Sequence, residues 1–200
     1  AKYKLGLFDD PYRFLDPKRR ASDILTSAHR KAARDMAAKT FVLLKNEGKL
    51  LPLKKQGKIA LIGPMADNRT NLAGAWAPTA VPDKYITLKE AMELALKGKA
   101  ELTYAQGCNF TNDETLQTVG GFYNQTPFKD AAKLRQEAVT IAKEADVIVC
   151  AMGEEAEMRG ECSSRASLEI FDAQKELLEE LLKLHRQIVL SEMVNRRTAI

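Results

Sequence analysis

Residues 146–152 read Asp-Val-Ile-Val-Cys-Ala-Met and form the most apolar stretch of the chain. A run in which nearly every position is apolar is typical of a central parallel strand that is covered on both faces. Apolar residues also recur at helical spacing before this run, over 134–145, and after it, over 177–182. A strand between two such helices predicts βαβ crossovers, and therefore a parallel sheet.

Strands and helices alternate along the rest of the chain in the same way. Amphipathic helices are predicted with Thr26 or Ser27 as the cap of the first and Thr87 as the cap of the second. Strands are predicted at Phe41–Leu44, Lys58–Ile62, Glu101–Tyr104 and from Ile188. The predicted fold class is α/β, a mostly parallel sheet with helices on both faces, that is, an α/β sandwich. Ser191 and Glu192 make the last strand more polar than a central strand, and the domain is expected to be truncated at its C-terminus.

Composition and charge exclude several classes of protein. The net charge of +4 comes from 31 basic and 27 acidic residues, a mixed surface unlike that of a nucleic-acid-binding domain. The apolar runs are much shorter than the roughly 20 residues of a membrane-spanning helix. The three cysteines and two histidines stand at no metal-ligand spacing, so neither a metal site nor a cofactor is expected.

A loop rich in charged side chains follows the central strand. Residues 153–165 hold two glycines, two arginines and four carboxylates, among them Glu154 and Glu161. In open parallel sheets, ligands bind beyond the carboxyl ends of the strands, where this loop begins. Crowded carboxylates raise one another's pKa, which suits a general acid. The alternative is a solvated charged loop that binds nothing.

The other candidate sites lack residues or spacings that a nucleotide-binding or catalytic site requires, or have a structural role as an equal alternative. Gly63-Pro64 follows a strand but lacks the glycine spacing of a dinucleotide-binding turn, and the proline removes one amide donor. Ser163-Ser164 has no histidine near it in sequence, although His185 stays open as a spatial neighbour. Trp76 suits either a sugar-stacking platform or a buried packing role.

Five groups of residues carry a resemblance that covers nearly the whole chain. In chain order they are Tyr3–Tyr12; His29-Arg30 and Ala33-Arg34 with Phe41–Asn46 and Leu51-Pro52-Leu53; Ile59–Pro64 with Ala66-Asp67; Gly74-Ala75-Trp76; and Gly153-Glu154 with Glu161–Arg165 and Leu168. Together they resemble glycoside hydrolase family 3, and within it especially the bacterial periplasmic β-glucosidases. The first group resembles the junction that follows the family's catalytic barrel, and the last resembles the loop that carries its acid/base glutamate.

The resemblance implies a division of the chain and a partner for it. The family fold is a (β/α)8 barrel followed by an α/β sandwich. Residues 1–25 are then a linker from a preceding barrel domain, and residues 26–200 are an incomplete sandwich domain. The barrel, which in the family holds the nucleophilic aspartate, is the expected partner in cis, and no nucleic acid or membrane is expected.

The resemblance also implies an activity, which is that of a retaining β-glucosidase acting on terminal non-reducing β-D-glucosyl residues. Glu161 is then the acid/base, while Glu154 and Arg165 are substrate-binding or loop-ordering groups. The implied location is the periplasm or outside the cell. The alternatives are a β-xylosidase of the same family and a non-catalytic sugar-binding or interface module. The 200-residue chain alone is expected to be inactive.

Overall fold

The chain forms two compact units, Ala1–Gly48 and Lys49–Ile200. The structure, a computed structural model, describes residues 1–74, 76–77, 79–118, 126–159 and 163–194, with only the backbone of residue 157. The predicted division into a linker over 1–25 and a sandwich domain over 26–200 stays a prediction.

The first unit contains two helices, α1 (Arg19–Asp23) and α2 (Ser27–Thr40). The side chain of Thr26 accepts a hydrogen bond from the backbone N–H of His29 at 3.1 Å, which caps α2 as its sequence predicts. The strand predicted at Phe41–Leu44 is wrong for this chain: these residues form no β-ladder, and their side chains are 66–81% exposed. A strand needs a neighbour for its backbone groups, and this segment has none in the described residues.

The second unit is built on a four-stranded sheet. Its strands are β1 (Lys58–Ile62), β2 (Glu101–Ala105), β3 (Val147–Gly153) and β4 (Gln187–Met193). They lie in the order β2-β1-β3-β4, and every neighbouring pair is parallel. The most apolar run of the sequence is therefore an inner strand, which confirms its prediction.

Helices connect these strands and lie on both faces of the sheet. They are α3 (Leu88–Leu96), α4 (Glu114–Thr118), α5 (Ala131–Glu144) and α6 (Asp172–Leu182), with short 3-10 turns at Pro82–Lys84 and Ala156–Met158. Thr87 begins α3 with a capping box: its side chain accepts from Glu90 N–H, and the Glu90 carboxylate accepts from Thr87 N–H. The short helix α4 is not among the helices that the sequence predicts. None of the helices in the described residues is long and apolar enough to cross a membrane.

Two apolar cores lie on opposite faces of the sheet, because successive side chains of a strand point to opposite sides. Ile148, Cys150 and Met152 of β3 pack with α5 and α6 residues, including Ala138 and Leu177. The intervening residues of β3 pack with Leu96, Phe110 and neighbouring apolar side chains on the α3 side. The predicted α/β fold is confirmed by this arrangement.

The polar character of the last strand has a structural explanation. Among the described strands, β4 lies at one edge of the sheet, and all its residues after Gln187 are half-buried. Ser191 and Glu192 therefore occupy edge positions, where polar side chains are tolerated.

Candidate functional site

The loops that follow β1 and β3 meet at the point where the order of the strands reverses. The chain leaves β1 toward β2 on one side and leaves β3 toward β4 on the other, and in open parallel sheets ligands bind beyond the carboxyl ends of two such neighbours. The backbone N–H of Met65 donates to the carbonyl of Ala151 at 3.2 Å. Gly63 has φ +135°, and a Cβ there would collide with the backbone of Ala151, so this close approach requires glycine.

The first carboxylate after β3 is buried in an ion pair. Nη1 of Arg165 donates to Oε1 of Glu154 at 2.8 Å, and the two side chains are only 11% and 1% exposed. The guanidinium of Arg165 lies 4.2 Å from the centre of the Phe171 ring and also donates to the carbonyl of Glu169. One arginine thus joins the beginning and the end of the loop over 154–169.

The next carboxylate, Glu155, is also buried but has another partner. Its Oε1 accepts from the backbone N–H of Thr126 at 3.0 Å. The carbonyl of Thr126 accepts from Nε2 of Gln117 on α4 at 3.1 Å. Glu155 therefore ties the loop after β3 to the loop after β2, and a solvated charged loop does not describe either of these two carboxylates.

Asn71, in the loop after β1, is the centre of this network. It is 2% exposed. Its Oδ1 accepts from the N–H of Ala156 at 2.7 Å, and its carbonyl accepts from Nη2 of Arg159 at 2.7 Å. Its Nδ2 donates to Oγ1 of Thr126 at 3.3 Å, and its N–H donates to Oδ1 of Asn68. Asn71 therefore connects the loops that follow β1, β2 and β3.

Gln174 of α6 fixes the end of β3 from the other side. Its Oε1 accepts from the N–H of Gly153 at 2.8 Å, and its Nε2 donates to the carbonyls of Gly153 and Phe110 at 2.9 Å each. The point at which the charged loop leaves the sheet is therefore held by a buried, fully engaged amide.

The charges of the buried cluster offset one another. The buried carboxylate of Glu154 is paired with Arg165, and its charge also acts on Arg159. Burial lowers the pKa of the Arg159 guanidinium, and the charge of Glu154 acts in the opposite direction. Carboxylates and guanidinium groups so arranged can order a loop.

The residues that the sequence singles out are distributed unevenly around this cluster. Glu154 and Arg165 are brought together within it. Glu161, the predicted acid/base, lies outside the described residues. Trp76 is 72% exposed, which rules out the buried packing role for it. His185 precedes β4, whereas Ser163-Ser164 follows β3. Because the two strands are parallel, these residues lie toward opposite ends of the strands.

Other polar and thiol groups have structural roles. Cys108 and Cys150 are free and buried, and burial raises the pKa of the Cys150 thiol to about 12 and that of Cys108 in the same direction. Asn68 and Asn109 begin Asn-x-Thr sequons, yet both are buried and hydrogen-bonded. No group of three metal-binding side chains occurs in the part of the chain that the structure describes.

Sequence reasoning missed Asn71, Gln117, Thr126 and Gln174. None of them belongs to a catalytic motif, and their partners are far away along the chain: Asn71 and Ala156 are 85 positions apart. The one local signal is that Gln174 falls on the apolar side of α6, between Ala173 and Leu177, where a polar residue needs a partner.

The sequence and the fold both match known proteins. Residues 41–199 match the family described as Glycosyl hydrolase family 3 C-terminal domain. A periplasmic β-glucosidase of Salmonella typhimurium is 37% identical over 207 aligned positions, covering 100% of this chain and 27% of that protein. A β-xylosidase of Formosa agariphila is 28% identical over 195 positions, covering 94% of this chain and 24% of that protein.

A solved structure agrees with these relatives. A β-glucosidase involved in saponin metabolism, from intestinal bacteria, has a TM-score of 0.82 and 26% sequence identity, and the match covers 100% of this chain and 29% of that one. The chain thus spans about a quarter of the length of the relatives that it matches. It belongs to glycoside hydrolase family 3, and residues 41–199 correspond to the C-terminal domain of that family.

Proposed function

We propose that this chain is a domain of a retaining β-glucosidase that hydrolyses terminal non-reducing β-D-glucosyl residues. Its contribution is the acid/base loop, in an active site shared with a (β/α)8 barrel of the same protein. The observation that carries the proposal is the anchored loop beyond the central strand, in a chain that belongs to a family of glycoside hydrolases. The 37% identity to a protein named periplasmic β-glucosidase supports the choice of substrate.

Glu161 is the proposed acid/base. Retaining hydrolysis uses two carboxyl groups about 5–5.5 Å apart, one as nucleophile and one as acid and then base. The nucleophile, an aspartate of the barrel, attacks the anomeric carbon while Glu161 gives its proton to the departing glycosidic oxygen. In the second step Glu161 takes a proton from water, which attacks the same carbon and releases the sugar from the aspartate.

Glu154 and Arg165 contribute to the site mainly by ordering the loop. Arg165 joins Glu154 to the carbonyl of Glu169, so it fixes the loop's departure from β3 relative to its return. A role at the edge of the substrate is also proposed for the pair, because Arg165 keeps 11% of its side chain exposed. No metal or other cofactor is part of the proposal.

The proposal is tested by Glu161→Ala in the full-length protein. Loss of the acid is expected to slow glycosides with poor leaving groups far more than those with good ones, because only the former need protonation. Azide is expected to restore turnover of an activated glucoside by replacing water as the attacking group. Unchanged hydrolysis of cellobiose by this variant would contradict the proposal.

Glu157→Ala is the matched control, since it removes a carboxylate from the same loop. It is expected to leave the dependence on the leaving group unchanged. If Glu157→Ala, rather than Glu161→Ala, shows azide rescue, the assignment of Glu161 is wrong.

A β-xylosidase is the second candidate, because a relative with 28% identity carries that name. The ratio of kcat/KM for aryl β-glucosides and aryl β-xylosides separates the two. We expect the glucoside to be the better substrate, and a clear preference for the xyloside would favour the second candidate.

A non-catalytic sugar-binding or interface module remains the alternative of another class. In that case Glu161→Ala would raise KM and leave kcat nearly unchanged. The periplasm or the extracellular space is the proposed location, in line with the name of the Salmonella relative. Fractionation of cells that produce the full-length protein tests this directly.

A further inference from the structure

We propose that Asn71 is a positioning residue for the acid/base loop, acting from the loop after β1 on the loop after β3. The inference rests on the proposed role of Glu161. Asn71 is given no part in the proton transfer by Glu161. It acts by holding the backbone that leads to that residue.

The contacts of Asn71 fall on one short segment. Its Oδ1 accepts from the N–H of Ala156, and its carbonyl accepts from the guanidinium of Arg159, both at 2.7 Å. These two contacts hold both ends of the segment 156–159. The Ala156 N–H is buried, so it is satisfied by the side chain of Asn71 and not by bulk water.

The proposed acid/base is close to this segment in sequence. Glu161 is only two residues beyond Arg159, a length that spans at most about 7 Å. Four residues further on, Arg165 is held by Glu154, so anchored residues stand on both sides of Glu161 in sequence. The anchor nearer to Glu161 along the chain is therefore the one that depends on Asn71.

Asn71 itself is rigidly held, which makes it a suitable anchor. Its N–H donates to Asn68 at 3.0 Å and its Nδ2 donates to Thr126 at 3.3 Å. Thr126 in turn accepts from Asn68 at 2.9 Å and donates its N–H to Glu155. All the polar groups of Asn71 are thus engaged by three different loops.

Loss of this anchor is expected to affect proton donation more than folding. A catalytic group that is misplaced by about 1 Å costs roughly 100-fold in rate. The loss of rate depends on how much the leaving group needs a proton. It is therefore largest for glycosides with poor leaving groups. A merely structural residue would lower the amount of folded enzyme and slow all substrates equally.

The experiment compares Asn71→Ala with the unchanged full-length protein on two aryl β-glucosides. One carries 2,4-dinitrophenol, a good leaving group, and the other carries unsubstituted phenol, a poor one. We expect kcat/KM to fall about 10- to 100-fold more for the phenyl glucoside. Equal losses on both substrates would overturn the inference.

Asn109→Ala is the matched control. Asn109 is also a buried asparagine with two side-chain hydrogen bonds, but both go to Lys129, within the loop after β2. It is expected to lower stability and to affect both glucosides alike. A selective loss on the phenyl glucoside in this control would overturn the inference, since any buried asparagine would then suffice.

Arg159→Met supplies a second, milder variant in case Asn71→Ala does not fold. It removes the contact with the Asn71 carbonyl and the positive charge that acts on Glu154, and keeps an apolar side chain of similar length. A smaller selective loss on the phenyl glucoside supports the inference, and equal losses overturn it. Glu161→Ala is measured in parallel to separate the two proposals. If Glu161→Ala slows both glucosides equally, the proposed function itself fails. If Glu161→Ala slows the phenyl glucoside selectively but Asn71→Ala does not, only the inference about Asn71 is overturned.

Discussion

The side-chain amide of Gln174 binds both backbone groups of Gly153, accepting from its N–H at 2.8 Å and donating to its carbonyl at 2.9 Å. A buried glutamine on α6 thus takes the place of a neighbouring strand where β3 ends. Gln174→Leu would leave these two groups and the carbonyl of Phe110 without a partner. Each such loss costs about 1–3 kcal/mol, so we expect unfolding in urea to become easier by at least about 3 kcal/mol.

Gln136→Leu serves as the control for this prediction. Gln136 is exposed on α5, and a change there is expected to alter the free energy of unfolding by less than about 0.5 kcal/mol. Similar urea midpoints for the two variants would contradict the role assigned to Gln174.

The ion pair between Glu154 and Arg165 predicts a compensating double variant. Arg165→Met leaves the buried Glu154 charge without its arginine and is expected to cost about 3–5 kcal/mol of stability. Adding Glu154→Gln removes that charge, so the double variant is expected to be more stable than Arg165→Met alone. Additive destabilisation, measured in a double-variant cycle of urea unfolding, would show that the pair is not coupled.

The buried thiols predict a loss of stability in alkali. Burial raises the pKa of Cys150 from its ordinary value of 9.0 to about 12. The thiol therefore ionises at lower pH in the unfolded chain than in the folded one. The stability that the neutral thiol contributes is complete below pH 9 and is lost as the pH rises toward 12. At pH 10 the loss from this one thiol is on the order of 1 kcal/mol.

Cys150→Ala tests the origin of that loss. The free energy of unfolding is measured at pH 8 and pH 10 for both proteins. The variant is expected to lose less stability over this interval, although Cys108 still contributes in the same direction. An identical pH dependence would mean that Cys150 is not responsible.

The 200-residue chain on its own is expected to have no glucosidase activity. Retaining hydrolysis needs a second carboxylate as nucleophile, and the proposal assigns it to the barrel. Release of nitrophenol from an aryl glucoside is compared for the isolated chain and the full-length protein at equal concentration. Turnover by the isolated chain would overturn the shared-site proposal.

Trp76 is expected to stack against the sugar chain of the substrate. Its side chain is 72% exposed, in the loop that follows β1. Trp76→Ala in the full-length protein is expected to raise KM for cellobiose roughly fivefold, equivalent to about 1 kcal/mol, with little change in kcat. Leu72→Ala, in the same loop, is the control, and an equal effect there would count against stacking.

Much of the fold could be predicted because the signals are local. The apolar run of β3 specifies an inner parallel strand, and Thr87 with Glu90 specifies the start of α3. The strand predicted at Phe41–Leu44 failed because strand-forming residues still need a neighbouring strand. The five-residue helix α4 is too short to show an amphipathic stripe.

The candidate site was less predictable because its contacts are long-range. The sequence singled out Glu154 and Arg165 by family resemblance, and they do form a pair. It could not reveal that Asn71 binds Ala156, since only the parallel arrangement of β1 and β3 brings them together.

The alternation of β3 between two cores makes the length of that strand hard to change. A one-residue insertion just before Ile148 would turn Ile148, Cys150 and Met152 toward the α3 side, and would move Glu154 into the place of Glu155. Arg165 would then face Gly153 instead of a carboxylate, and the N–H of Thr126 would face Glu154 instead of Glu155. Insertions and deletions are therefore expected to be tolerated in surface turns, while the count of residues from β3 to the charged loop stays fixed.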